Sequence, residues 1–310
     1  MGMKKRVVFI LGPTGAGKSD FAVRLAKSVN GEIISCDSMQ VYKGMSIISQ
    51  QPPDKLLKSV SHHLIGTLSP SREWSAAHFV EKAGSITGRI ISKDKTAIIA
   101  GGTGLYARSF INGLFPAPEK DEKYRGYLKK VAERKGRRYL YDMLRKIDPA
   151  YAAKIHENDL QRIIRVLEIY KLTGKRISQE HAKTVGIRNK YNTLVVILTR
   201  SRGELYKIID ERVEKMFRGG VVNEVRALRR RKLSKTAEAV LGYREICNYL
   251  DGNTGLSETK EVLKRKTRQY AKRQLTWFRK DSDAIWLNMG HKTRHDILIR
   301  RIKGLLLKGG

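Results

Sequence analysis

Gly12-Pro13-Thr14-Gly15-Ala16-Gly17-Lys18-Ser19 is the stretch on which the fold turns. It fits G-x-x-x-x-G-K-[ST], and its neighbours are the ones that pattern requires. The apolar run Val7-Val8-Phe9-Ile10-Leu11 precedes it, and Phe21, Ala22, Leu25, Ala26 and Val29 follow at helical spacing. The pattern predicts strand, glycine loop and helix in direct succession. Glycines let successive amides turn towards one anion, the helix start adds partial positive charge, Lys18 neutralises phosphate oxygens and the Ser19 hydroxyl suits Mg²⁺. Gly12, Pro13, Thr14, Gly15, Ala16, Gly17, Lys18 and Ser19 are therefore the candidate diphosphate- or nucleotide-binding residues, with the amides of residues 14–18 as donors. Ser19 is the candidate metal contact, and Mg²⁺ the expected cofactor.

Working outward, Glu32-Ile33-Ile34-Ser35-Cys36 and Thr96-Ala97-Ile98-Ile99-Ala100 read as further buried strands, each ending in a polar or glycine-rich loop. Pro116-Ala117-Pro118 interrupts this pattern and opens a charged, helix-forming stretch to about residue 190. Strand signal returns at Leu194-Val195-Val196-Ile197-Leu198 and at Ala284-Ile285-Trp286-Leu287. The expected fold is α/β: a P-loop NTPase-like parallel sheet flanked by helices, with a mainly helical insertion. Residues 1–115 and 192–310 would form the catalytic core with basic C-terminal helices, and 116–191 the insertion.

The composition, 41% hydrophobic and 30% charged, excludes a disordered chain, and no apolar run approaches the roughly 20 residues of a membrane helix. The basic start, Met1 to Arg6, leads into a strand and glycine loop rather than a cleavage site, which argues against a signal peptide. Cys36 and Cys247 stand in no metal or redox spacing. A cytoplasmic monomer without a membrane role is the expectation. His62 and His63 adjoin each other, so on a strand they point to opposite sides, which favours packing over a shared metal.

Lys and Arg number 63 against 30 Asp and Glu, a net charge of +33, far beyond what solubility needs, so a polyanionic partner is implied. Residues 1–100 carry 14 basic and 7 acidic side chains, which leaves most of the excess in the later part. Between Lys260 and Lys280, Leu263, Tyr270, Ala271, Leu275 and Phe278 suit one helix face. Lys264, Arg265, Lys266, Arg268, Lys272, Arg273 and Arg279 supply a positive surface that suits either a phosphate backbone or plain solvent.

The loop does not say whether the bond broken is to phosphorus or to carbon. A motor-type ATPase would place an Asp at the end of a neighbouring strand, but Thr96–Ala100 runs into Gly101-Gly102-Thr103-Gly104-Leu105-Tyr106, without a carboxylate. A kinase of a nucleoside or small metabolite remains compatible with residues 1–110, as does a nucleic-acid-binding module with a vestigial loop.

Several segments together resemble the tRNA dimethylallyltransferase (tRNA isopentenyltransferase) family. They are Gly12-Pro13-Thr14 with its loop, Asp37-Ser38-Met39-Gln40-Val41-Tyr42-Lys43-Gly44-Met45, Gly101 to Tyr106, Leu241-Gly242-Tyr243-Arg244-Glu245, and Thr267-Arg268-Gln269-Tyr270-Ala271-Lys272-Arg273-Gln274. Trp74 to Phe79 and Ile155 to Asp159 add smaller matches. Two departures stand out: Ile47-Ile48-Ser49-Gln50-Gln51-Pro52 replaces an Ile-Gly-Thr-Ala-Lys-Pro type stretch, and Gly66 occupies a position where Asp is usual.

The resemblance implies attack by N6 of an adenosine beside the anticodon on the first prenyl carbon of dimethylallyl diphosphate, expelling pyrophosphate. An exocyclic amine must shed a proton, so a carboxylate is needed as base, and Asp37 stands after a predicted strand, where open α/β sheets hold ligands. The resemblance adds Arg212 as a cation on the pyrophosphate and Thr103 as a contact to the adenosine. It also implies that the anticodon arm touches Asp37, Ser38, Met39, Gln40, Thr103, Gln161, Arg162, Ile163, Ile164 and Arg165, together with Arg125. The catalytic set is thus Asp37, Thr103 and Arg212.

Overall fold

The computed structural model describes residues 6–181, 184–290 and 293–308, so most of the basic start of the chain lies outside the described residues. Two compact units form: Met1–Ile111 with Ile187–Gly310, and Asn112–Gly186.

The larger unit is organised by strands β1 (Arg6–Leu11), β2 (Gly31–Ser35), β3 (His62–His63), β4 (Thr96–Gly101), β5 (Asn192–Thr199) and β6 (Ile285–Asn288). They lie in the order β3-β2-β4-β1-β5-β6, with every pair parallel. A parallel sheet covered on both faces needs apolar residues at every position, and β1 shows how they are shared. Val7, Phe9 and Leu11 enter one apolar cluster; Val8 and Ile10, pointing the other way, enter a second. The register keeps the layers aligned, Phe9 beside Ile99 and Val195, Ile10 beside Val196.

Helices α1 (Lys18–Ser28), α2 (Ala76–Ser92) and α3 (Gly104–Asn112) follow the early strands. The second cluster takes Phe21 and Leu25 of α1, while the first takes Phe79 and Ile90 of α2 and Phe110 of α3. β3 has no counterpart in the expected strands. Two residues are too short to show a period, and the pairing of Ile33 with His62 and Ile34 with His63 sets them in the sheet. His62 is bonded through Nδ1 to the Val60 carbonyl at 2.8 Å, and His63 through Nε2 to Glu32 at 2.7 Å.

The smaller unit contains α4 (Glu122–Lys135), α5 (Arg137–Ile147) and α6 (Leu160–Thr173) around a core that includes Leu128, Leu140, Leu144, Ile163 and Leu167. Asp121 and Asp159 cap α4 and α6, accepting from the amides of Tyr124 and Arg162. Its centre is the fully buried carboxylate of Glu168. Arg125 donates to it through Nε and Nη2 at 2.7 and 2.9 Å, Arg165 through Nη1 at 2.5 Å, and the Asp121 amide at 2.7 Å. Burial alone would raise the Glu168 pKa, but these hydrogen bonds outweigh it and hold the carboxyl below the ordinary glutamate range.

The rest of the larger unit follows β5: α7 (Arg202–Arg218), α8 (Val221–Leu228), α9 (Tyr243–Leu250), α10 (Leu256–Phe278) and, after β6, α11 (His295–Lys308). No helix among the described residues is long and apolar enough to cross a membrane.

Replacing Glu168 with Gln removes the charge that two part-buried arginines share. The expected cost is about 3 kcal/mol, read as a lower urea midpoint of the full chain, and an unchanged midpoint would show that the network carries no stability.

Candidate active site

Between β1 and α1 the chain makes the tight loop the glycines allow. Gly12 has φ 146° and a Cβ there would stand 2.3 Å from the Leu198 carbonyl oxygen, so no other side chain fits beside β5. Gly15 and Gly17 also have positive φ, 83° and 89°. The expected ring of amides from 14 to 18 needs correction, since two of these groups are already engaged. Thr14 N donates to Gln274 Oε1 at 2.9 Å and Ala16 N to the Pro13 carbonyl at 3.3 Å. Gly15, Gly17 and Lys18 keep amides with no such bond among the described residues. Lys18 folds over the loop, its Nζ donating to the Pro13 carbonyl at 2.7 Å. Gly12, Pro13 and Ala16 are buried and shape the loop from beneath, whereas Thr14, Gly15, Gly17, Lys18 and Ser19 line the cleft.

Asp37 stands two residues beyond β2 on the same cleft. Its Oδ1 accepts from the amides of Met39 at 2.9 Å and Gln40 at 3.3 Å, an Asx-type turn that presents Ser38, Met39 and Gln40 along the wall. Among the described residues Oδ2 carries no hydrogen bond. Thr103, after β4, is tied to this turn: its Oγ1 accepts from Ser38 N at 3.0 Å and donates to Ser38 Oγ at 3.5 Å. Arg212, from α7, reaches the loop, donating through Nη1 to Thr14 Oγ1 at 3.4 Å.

The residue that joins these parts is Gln274 of α10, which the sequence reading quoted in a motif but gave no role. Its Oε1 accepts from Thr14 N and its Nε2 donates to the Gly102 carbonyl at 2.8 Å. A Cβ on Gly102 would lie 2.3 Å from that Nε2, so any larger residue would push the carboxamide out of its bridge. The buried face of α10 is Thr259, Leu263, Thr267, Ala271, Gln274 and Phe278, so the expected face containing Tyr270 and Leu275 is off by part of a turn. A polar residue at i, i+4, i+7 and i+11 spacing with Thr267, Ala271 and Phe278 was the available signal. Tyr270 is a further unassigned side chain, its hydroxyl pKa raised by burial and by Asp37.

The cleft has a volume of about 1210 Å³. Lys18, Asp37, Arg200 and Arg212 face it on the polar side; Ile48, Met216, Val240 and Leu263 supply an apolar wall. Burial, and then the charge of Arg212, brings the Lys18 pKa down to about 8, against the opposing pull of Asp37. Burial also lowers the Arg212 pKa, and it raises that of Asp37 despite two amides and two nearby cations. Crowded cations, free amides and a carboxylate with one open oxygen suit a polyanion and a proton-losing nucleophile in one space.

The expected tRNA contacts outside this cleft divide in two. Gln161 and Arg162 are exposed at the start of α6. Ile163, 0% exposed, and Ile164, 5%, differ from them: the helical period turns both side chains into the core of the smaller unit. Arg125 and Arg165 are also corrected as free contacts, since Glu168 holds both guanidinium groups. The positive face of α10 is thinner than its composition. Lys264 pairs with Glu214, Lys266 with Glu245 and Arg268 with Asp210, leaving Arg265, Lys272, Arg273 and Arg279 exposed, of which Arg265, Lys272 and Arg279 form a stripe at seven-residue spacing.

The fold and cleft define a P-loop enzyme built for group transfer from a phosphate-bearing donor. An IPP transferase family model matches residues 40–281, and an isopentenyl transferase model matches 5–67. The tRNA dimethylallyltransferase of Carboxydothermus hydrogenoformans is 44% identical over 95% of this chain and 96% of its own, and that of Geobacter sulfurreducens 42% identical over 92% and 93%. Among solved structures, the tRNA isopentenylpyrophosphate transferase of Bacillus halodurans is 38% identical, with TM-score 0.72, over 98% of this chain and 96% of its own. A eukaryotic dimethylallyltransferase described as acting on tRNA is 28% identical, with TM-score 0.81, over 98% of this chain and 80% of its own. The chain belongs to the tRNA dimethylallyltransferase family, a family of prenyl-transferring enzymes, and the kinase alternative is not favoured.

Gln274→Met keeps the volume but strands the Thr14 amide and the Gly102 carbonyl. We expect a loss of about 3 kcal/mol in urea unfolding together with weaker pyrophosphate binding by calorimetry, whereas wild-type values in both would dismiss the bridge.

Proposed function

We propose that this protein transfers the dimethylallyl group of dimethylallyl diphosphate to N6 of the adenosine 3′-adjacent to the anticodon in tRNA and releases pyrophosphate. The observation that carries the reading is the open Oδ2 of Asp37 in the same cleft as the glycine loop, Lys18 and Arg212.

As the new bond from N6 to the first prenyl carbon forms, the carbon–oxygen bond breaks and its electron pair leaves with the diphosphate. The amine proton passes to Asp37 Oδ2, the oxygen not engaged by the Met39 and Gln40 amides. Lys18, Arg212 and the amides of Gly15, Gly17 and Lys18 stabilise the charge that grows on the leaving group, more in the transition state than before it. The apolar wall of Ile48, Met216, Val240 and Leu263 suits the hydrocarbon end of the donor. Thr103 orients the Asp37–Gln40 turn through Ser38, and in this reading it contacts the adenine once that base enters.

The Ser19 hydroxyl, lining the cleft and hydrogen-bonded to none of the described side chains, fits a hard cation that keeps few protein ligands. Mg²⁺ held there by Ser19 and donor oxygens would add charge neutralisation at the diphosphate. The target base must leave its stack, which costs a few kcal/mol and favours a loop nucleotide. The exposed stripe of Arg265, Lys272 and Arg279 and the net charge of +33 support a phosphate-rich acceptor, with Gln161 and Arg162 as contacts on the smaller unit.

The decisive assay is transfer of labelled dimethylallyl group to unmodified tRNA. Asp37→Asn should lower kcat by about 10²–10⁴-fold while tRNA binding survives, and near wild-type turnover would remove the base from Asp37. For kcat/KM in the donor, the rising limb should lie above the ordinary aspartate range, because Asp37 works only when ionised. The falling limb should lie near pH 8, since Lys18 is charged only below that value, and Lys18→Arg should move it upward.

A further inference from the structure

Arg200 follows Thr199, the last residue of β5, and β5 lies directly beside β1, so the chain delivers this arginine to the edge of the glycine loop. Its Nη2 lies 3.5 Å from the point where a Cβ on Gly17 would stand, and the residue lines the cleft with Lys18 and Arg212. Its Nε is shut off from solvent and has no hydrogen-bond partner. Among the described residues no carboxylate pairs with it, whereas Asp210 pairs with Arg268, and Glu168 with Arg125 and Arg165.

A buried N–H of a charged group without a partner is costly unless a ligand supplies one. Arg6 also has a buried nitrogen without a partner, but it stands at the opposite end of β1 and does not line the cleft. The distinguishing feature of Arg200 is therefore its position: a planar donor on the cleft, beside Gly17 of the loop whose amides are free.

We propose that Arg200 is a third cation of the diphosphate site, binding the leaving group beside Lys18 and Arg212. This inference rests on the reading of the glycine loop as the donor's diphosphate site. Guanidinium suits the task because it offers parallel donors to two phosphate oxygens in a fixed plane. Three cations converging from the loop, from β5 and from α7 would hold the diphosphate from separate directions, so that it departs without rotating out of the cradle.

The test is calorimetric titration of the full chain with inorganic pyrophosphate and Mg²⁺, comparing wild type with Arg200→Gln, Arg200→Lys and Lys18→Ala. Arg200→Gln should weaken binding by about ten- to a hundredfold, with Arg200→Lys in between and tRNA binding unchanged. A second measurement needs no variant: arginine-directed labelling with phenylglyoxal, mapped by mass spectrometry, should show Arg200 shielded by pyrophosphate and Arg265 indifferent to it. A folded Arg200→Gln protein that binds pyrophosphate like wild type, while Lys18→Ala loses it, overturns the role of Arg200 and leaves the site standing. If Arg200→Gln does not fold, labelling of Arg200 that pyrophosphate leaves unchanged overturns the role. Wild-type pyrophosphate binding by Lys18→Ala would bring down the site reading and this inference together.

Discussion

The carboxamide of Gln274 is the interaction on which the catalytic cleft depends. It accepts from the amide of Thr14 on one side and donates to the carbonyl of Gly102 on the other, so residues 260 and 172 positions away in sequence are held by one side chain. The bond to Gly102 is buried and that from Thr14 part-buried, and away from water an unmet backbone group costs more than a met one gains. The helix that carries Gln274 is itself fixed to α7 by the two-pronged pair of Arg268 with Asp210, at 2.9 Å for each bond. Arg212 lies two residues beyond Asp210, so the geometry of the loop and the position of the cation that faces it are set together. A site that begins at residue 12 is thus completed only when the last third of the chain has packed.

The charge in this cleft is deliberately unbalanced, in contrast to the rest of a very basic protein. In the smaller unit Arg125 and Arg165 are satisfied by one buried glutamate, and along α10 several lysines and arginines meet carboxylates. At the glycine loop, burial disfavours the charged forms of Lys18 and Arg212, Lys18 also feels the charge of Arg212, and Asp37 opposes without neutralising them. Such an arrangement stores unfavourable energy in the free protein and releases it when an anion arrives, which is how preorganised sites favour a charge that develops late. Net charge alone overstates the exposed positive surface, because part of it is consumed in internal pairs and part lies in the cleft.

How far the sequence could be read follows from which residues obey a period. The strand, loop and helix around residue 12 were legible because the loop is local and its flanks are uniformly apolar or cleanly amphipathic. Asp37 was legible from position, as the first carboxylate after a buried strand. Gln274 was not, because a glutamine among lysines and arginines looks like solvent-facing residue until the helix is seen to turn it inward with Thr267, Ala271 and Phe278. Ile163 and Ile164 show the opposite case: they stand within a span expected to meet RNA, although the helical period of Ile163, Ile164 and Leu167 marks a core face. Arg125 shows a further limit, since no local pattern reveals that its partner lies 43 residues away.

The departure at residues 47–52 shows how a local change is absorbed without loosening the site. Glu224 of α8 accepts from the amides of Ile47 and Ile48 at 3.0 and 2.8 Å, which fixes the loop from outside the sheet. Gln51 then donates to the carbonyls of Gln40 and Tyr42 at 2.8 and 3.1 Å, and Gln40 returns a bond to the Gln50 carbonyl at 3.2 Å. Gly66, at the second departure, adds its amide to the Gln40 carbonyl at 2.8 Å from a left-handed conformation that glycine adopts without strain. Both departures therefore converge on the backbone of Gln40, the end of the turn whose amides hold Asp37. With a glutamine where a lysine is usual, the loop exchanges a mobile charge for a two-acceptor clamp. The carboxylate's orientation is secured by neutral hydrogen bonds, and the cleft's positive charge is left to Lys18, Arg200 and Arg212.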